Sequence, residues 1–186
     1  MADFLKYWPK LVEVEGYWAN DLEDRGGATW MGISYNNYPA WSGWAVIESA
    51  LPDFKHATAK IANPILKPNS DLLNKVQTFY KKSQWDVLNA DQITNQSIAS
   101  FLVDWGINTG MSIPAKKVQK ILGLKEDGDV GPKTIAAINA ANGPDLFAKL
   151  QAARETYYRA IVEAHPSDAK FLSTWLARNK SFSYSA

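Results

Sequence analysis

Glu15, Asp24 and Thr29 are the residues whose types and spacing suit a reaction: a carboxyl group, a second one nine positions on, and a hydroxyl five beyond that. Glycosidic hydrolysis needs one carboxylic acid to protonate the leaving oxygen and a second polar group to guide water or steady the positive sugar centre. A glutamate at a helix end among aromatic rings holds its proton to higher pH, while an aspartate in a polar turn stays ionised. Taken alone, a Glu and an Asp at this spacing more often cap a turn and stabilise a bend, here Gly26-Gly27.

The elements that must position these residues are helical. Phe4, Leu5, Trp8, Leu11 and Val12 recur on one helix face behind an Asp3 cap, and the helix is expected to end near Glu15 because Gly16 follows. Pro9 falls inside it and is expected to kink or restart it. Further helices are predicted around Trp41 to Leu51, from an Asn69 or Ser70 cap through Tyr80, and from Ile98 to Gly110, the last being the most apolar and so the central one. Ser112 to Gly123, Thr134 to Ala141, Asp145 to Ala164 and a helix after Ser167 complete the pattern. Lys125 to Pro132 reads as a turn-rich link. No long period-two run appears, so the expected class is mainly α and lysozyme-like, with at most a small β element near residues 30–34.

Length and composition narrow the chemistry further. At 186 residues with 46% apolar content the chain can bury a real core. Twenty basic and 19 acidic residues leave a formal charge of +1, too even to hold nucleic acid or a membrane surface. Cysteine is absent, which removes disulfides, thiolate nucleophiles and cysteine metal sites, and His56 and His165 are too few and too far apart for a metal cluster. The expectation is no metal, no organic cofactor and no membrane insertion. Eight Trp and eight Tyr supply rings that fill cores or pack on sugar faces.

From Glu15 to Ile33 the chain resembles glycoside hydrolase family 108, the peptidoglycan-cleaving muramidases of phage lysis proteins and prophages, some labelled secretion activators. The family pattern, roughly Glu-Gly-Gly-Tyr-x-Asn-Asp-x-x-Asp-x-Gly-Gly-x-Thr-x-x-Gly-Ile, aligns here without a gap. The departure that matters is Tyr17, which stands where the family has its second glycine and bears on groove shape. The order Glu, Asp, Thr also resembles phage-type lysozymes. Phe101 to Gly110, Val118 to Gly123, Asp127 to Thr134 and Phe171 to Arg178 are similar to the family's peptidoglycan-binding module and closing helix. The resemblance implies Glu15 as the catalytic acid, with Asp24 and Thr29 as charge-stabilising or water-positioning partners.

The candidate substrate-binding residues are Tyr17, Trp30, Tyr35, Asp104, Trp105 and Asn108. Each has a plainer reading: Trp30, Tyr35 and Trp105 also suit a core, and Asp104 and Asn108, four apart on one helix face, either line a cleft or satisfy each other inside. The expected organisation is a catalytic segment at 1–95, a peptidoglycan-binding helical segment at 96–178 sharing its groove, and a tail at 179–186. The implied activity is cleavage between N-acetylmuramic acid and N-acetylglucosamine by a monomer acting on peptidoglycan glycan strands. The alternatives are a lytic transglycosylase and a non-catalytic wall-binding or secretion-accessory protein. Met1 to Pro9 lacks the basic-then-apolar order of a signal peptide. The chain is therefore expected to be made in the cytoplasm and to reach the periplasmic wall through a holin, lysis or a secretion system.

Overall fold

A computed structural model of the chain describes residues 1–20 and 27–186. The protein is mainly α with one small antiparallel sheet. Its contacts divide into two units, one of residues 7–82 and one of residues 1–6 together with 83–186.

Helix α1 spans Phe4–Glu15 and runs through Pro9. Asp3 caps its start, its Oδ1 accepting the Leu5 N–H at 2.8 Å. Pro9 removes only the hydrogen bond to the carbonyl of Leu5, itself among the most exposed apolar residues, and the helix runs through it without restarting. Within the first unit, α1 is followed by three two-residue strands, β1 (Trp18–Ala19), β2 (Thr29–Trp30) and β3 (Ile33–Ser34). They pair in that order, Trp18 opposite Trp30 and Trp30 opposite Ile33. Helices α2 (Gly43–Ala50), α3 (Ala59–Leu66) and α4 (Ser70–Tyr80) follow. Asn69 caps α4 through the Leu72 N–H at 2.9 Å. Helix α2 packs on α3 and α4, and α3 packs on β1.

In the other unit, α5 (Gln96–Thr109) is buried at every position from Ile98 to Gly106, as the wrap-around apolar pattern predicts. Asn95 caps it through the Ile98 N–H at 3.1 Å. Helices α6 (Ser112–Ile121) and α8 (Gly143–Ala164) pack against α5, and α9 (Ala169–Lys180) lies on α8. Between α6 and α8 comes α7 (Pro132–Ala140), with proline in its first turn where no N–H is needed. The closing residues are tied down: Phe182 stacks its edge on Phe101 at 5.7 Å and the Ser185 N–H donates to Ser97 Oγ at 2.9 Å.

The link between α6 and α7 is built on Gln119. Its Nε2 donates to Asp127 Oδ1 at 2.7 Å and to the Asp129 carbonyl at 2.8 Å, while its Oε1 accepts the Gly128 N–H at 2.9 Å. The Asp129 N–H donates to the same Asp127 oxygen at 3.1 Å. That backbone N–H, then Gln119, holds the Asp127 carboxyl below the ordinary aspartate value. A group lowered by folding adds stability above its unfolded value and loses it as pH falls through the folded one. Thermal unfolding of the wild type is therefore expected to lose more ground between about pH 5 and about pH 3 than that of Asp127→Asn, which keeps the acceptor oxygen but not the charge. Equal losses in the two proteins would contradict this.

Candidate active site

Glu15 is the last residue of α1, half-buried, and Gly16 then turns the chain with φ of 67° into β1. Only a residue without a Cβ makes that reversal cheaply, which is why the helix stops and the sheet begins there. The strand is anchored by the segment running into α3: the Trp18 N–H donates to Asn63 Oδ1 at 3.1 Å, Trp18 Nε1 to the Ala57 carbonyl at 2.9 Å, and Asn20 Nδ2 to the Lys55 carbonyl at 2.8 Å.

Strands β2 and β3 are joined by the two-residue loop Met31-Gly32, with φ of 46° and 77°. Positive φ at both positions is the pattern of a type I′ hairpin turn, whose twist matches the strands. The Glu15 carboxylate lies against this turn, because a Cβ built on Gly32 would run into Glu15 Oε2 and into the hydroxyl of Tyr80. Tyr80, buried at the end of α4, donates its hydroxyl proton to the Met31 carbonyl at 2.8 Å. Thr29 sits on β2, half-buried, with its Oγ1 donating to the Gly27 carbonyl at 3.2 Å. The structure thus brings Glu15 and the strand bearing Thr29 together around one hairpin. Asp24 lies outside the described residues.

The candidate sugar-contacting residues have different surroundings. The half-buried Tyr17 ring is tilted against Trp30 at 5.8 Å and carries Lys67 Nζ 3.8 Å from its centroid. Trp30 itself is fully enclosed and forms part of the core beneath the sheet. The Tyr35 ring is half-buried, edge-on to Trp44 at 5.2 Å and Phe54 at 5.3 Å, with Lys55 Nζ 4.8 Å above it. Asp104, Trp105 and Asn108 lie on α5, in the other unit. Trp105 is enclosed, and Asn108 is exposed, with Nδ2 3.4 Å from the Tyr158 hydroxyl.

Asp104 and Asn108 do not satisfy each other in the interior. The fully buried Asp104 instead takes the Arg154 Nη2 on Oδ2 and the Arg178 Nη2 on Oδ1, each at 2.8 Å. Arg154 is equally enclosed, donates Nε to Tyr158 Oη at 2.9 Å, and lies over the Phe101 ring at 5.2 Å. Neither arginine stood out in the sequence, because each is 50 or more positions from its partner. Tyr80 was also missed: at the end of an amphipathic helix it is one more apolar residue until the left-handed turn beneath it is seen. Among the described residues, no group of three or more His, Cys, Asp or Glu side chains is placed to hold a metal ion, and no helix is long and apolar enough to cross a membrane.

Comparison with known proteins agrees with the resemblance in the sequence. The family model for glycosyl hydrolase 108 matches residues 8–110, and the model described as a predicted peptidoglycan domain matches residues 113–180. Among solved structures, that of Brucella abortus SagA is similar with a TM-score of 0.63 and 22% identity, covering 98% of this chain and 97% of that one. At that identity the likeness concerns the fold. A search of the curated proteins found no match.

The enclosure of Asp104 sets a test of its role. Removing it leaves Arg154 buried without its counter-charge, so Asp104→Ala is expected to cost about 3–5 kcal/mol, read by denaturant or thermal unfolding. Unchanged stability with weakened binding to cell wall would instead make Asp104 a ligand-facing residue.

Proposed function

Belonging to the glycosyl hydrolase 108 family, this chain is a glycoside hydrolase that acts on peptidoglycan, and we propose that it is an N-acetylmuramidase with Glu15 as its general acid. In this reading it hydrolyses the bond between N-acetylmuramic acid and N-acetylglucosamine. Glu15 protonates the departing glycosidic oxygen, Asp24 steadies the developing positive charge, and Thr29 helps to place the attacking water. The observation that carries the reading is the position of Glu15, half-buried at the C-terminal end of α1 and against the tip of the hairpin.

Glu15 sits at the end of a helix, against a backbone turn that fixes where its carboxyl group lies. The neighbouring strand carries a hydroxyl, Thr29, one residue from the enclosed Trp30 that anchors it. Tyr17 presents a partly exposed ring next to this region, with Lys67 Nζ over its face. The predicted peptidoglycan domain at residues 113–180 is the segment expected to hold the glycan strand. In this reading the work lies in the cell wall, where the peptidoglycan is.

Replacing Glu15 by Gln keeps the shape and removes the transferable proton. On purified sacculi, release of reducing ends by Glu15→Gln is expected to fall by about 10²- to 10⁴-fold, while co-sedimentation with the sacculi is unchanged. Cleavage at the wild-type rate would remove Glu15 from the role of acid.

A further inference from the structure

A two-residue hairpin loop of this kind is cheap for Gly32 and not for Met31. At φ of 46° the Cβ of Met31 crowds its own backbone, and residues other than Gly, Asn and Asp seldom adopt that angle. Such a conformation persists only where surrounding contacts impose it. Here both backbone polar groups of Met31 are held from outside the loop: its N–H donates to the Tyr17 carbonyl at 3.0 Å, and its carbonyl accepts the Tyr80 hydroxyl at 2.8 Å. The Met31 side chain is 1% exposed, so packing fixes the third direction.

The next residue turns this local strain into something the site uses. The space that a side chain on Gly32 would fill is shared by Tyr80 Oη and Glu15 Oε2. The end of α1, the hairpin tip and the end of α4 therefore meet at one point, with the carboxylate resting on backbone and against a phenol. The Tyr80 hydroxyl donates to the Met31 carbonyl, which ties its own position to that of the turn.

We propose that Tyr80 is a positioning residue for the acid: its hydroxyl pins the Met31-Gly32 turn in the left-handed conformation and so fixes the floor on which the Glu15 carboxylate lies. This rests on the reading of Glu15 as the general acid. Phenylalanine at position 80 would keep the ring packing against Phe79, 5.4 Å away, but leave the buried Met31 carbonyl without its donor. The turn would then relax and the carboxylate would lose its fixed height. A displacement of about 1 Å at a reacting group lowers the rate by up to about 100-fold without changing how substrate is held.

The test is steady-state cleavage of solubilised glycan strands by the full chain and by Tyr80→Phe, Gly32→Ala and Glu15→Gln, with thermal unfolding recorded for each. The expected result for Tyr80→Phe is a kcat lowered about 10- to 100-fold, with KM within about twofold and a cooperative unfolding transition retained. Gly32→Ala, whose new methyl group displaces the same two oxygens, is expected to lower kcat at least as far. A folded Tyr80→Phe with wild-type kcat, beside an inactive Glu15→Gln, overturns the proposal and leaves the assignment of the acid standing. Equal losses in kcat and KM together with a large fall in Tm also overturn it, by making Tyr80 part of the core only. An active Glu15→Gln sinks the assignment of the acid instead. Should Tyr80→Phe fail to fold, Gly32→Ala decides: a folded protein with unchanged kcat overturns the proposal, and a kcat loss at constant KM supports it.

Discussion

The site depends on one absence, that of a side chain at Gly32. The carboxylate of Glu15 rests on the backbone of that residue, and Tyr80 Oη occupies the rest of the space a Cβ would take. From this constraint the neighbouring features follow. The turn is left-handed at two consecutive positions, as a two-residue hairpin loop of this kind requires. The helix bearing Glu15 must stop where it does, and Gly16 stops it. Strand β1 must then return beside β2, and its tethers to Ala57 and Asn63 hold it there.

The other unit is organised by a different kind of constraint. Asp104 is enclosed between two guanidinium groups, and its removal would strand a buried charge, but such an arrangement is weak evidence for net stability because desolvation offsets the attraction. What it does supply is geometry. Arg154 comes from α8 and Arg178 from α9, so one carboxylate on α5 fixes how three helices pack. Gln119 does the same on a smaller scale for the link into α7, using every polar atom of its amide.

Much of this was legible in the chain itself. Apolar periodicity located the helices apart from α3, and the cap at Asn69 sits where a short polar side chain precedes an apolar run. The small sheet appears at residues 29–34, with a first strand at Trp18–Ala19 that two residues could not announce. Glu15 at a helix end was readable because Gly16 follows it, and the long pattern to Ile33 named the family. What sequence could not supply were facts of three-dimensional juxtaposition. Pro9 reads as a kink or a restart, yet the helix runs through it. Trp30 and Trp105 look the same as a sugar platform or a core ring until their enclosure is known. Asp104 and Asn108 read equally as cleft residues or as a pair, because helical spacing reports only neighbours on the same helix, and the arginine partners of Asp104 lie 50 and 74 residues away. Tyr80 carried no local signal at all, since its importance comes from the backbone angle of a residue 49 positions earlier.

In the proposed reading a single proton-donating carboxyl group is matched with an attacking water, and cleavage falls on the muramic acid side of the glycan linkage. The ends that digestion leaves on the polymer report this directly, whatever the rate. Mass spectrometry of soluble fragments from purified sacculi treated with the wild-type protein is predicted to show reducing N-acetylmuramic acid termini. Anhydro-muramic termini, or reducing N-acetylglucosamine termini, would contradict the account.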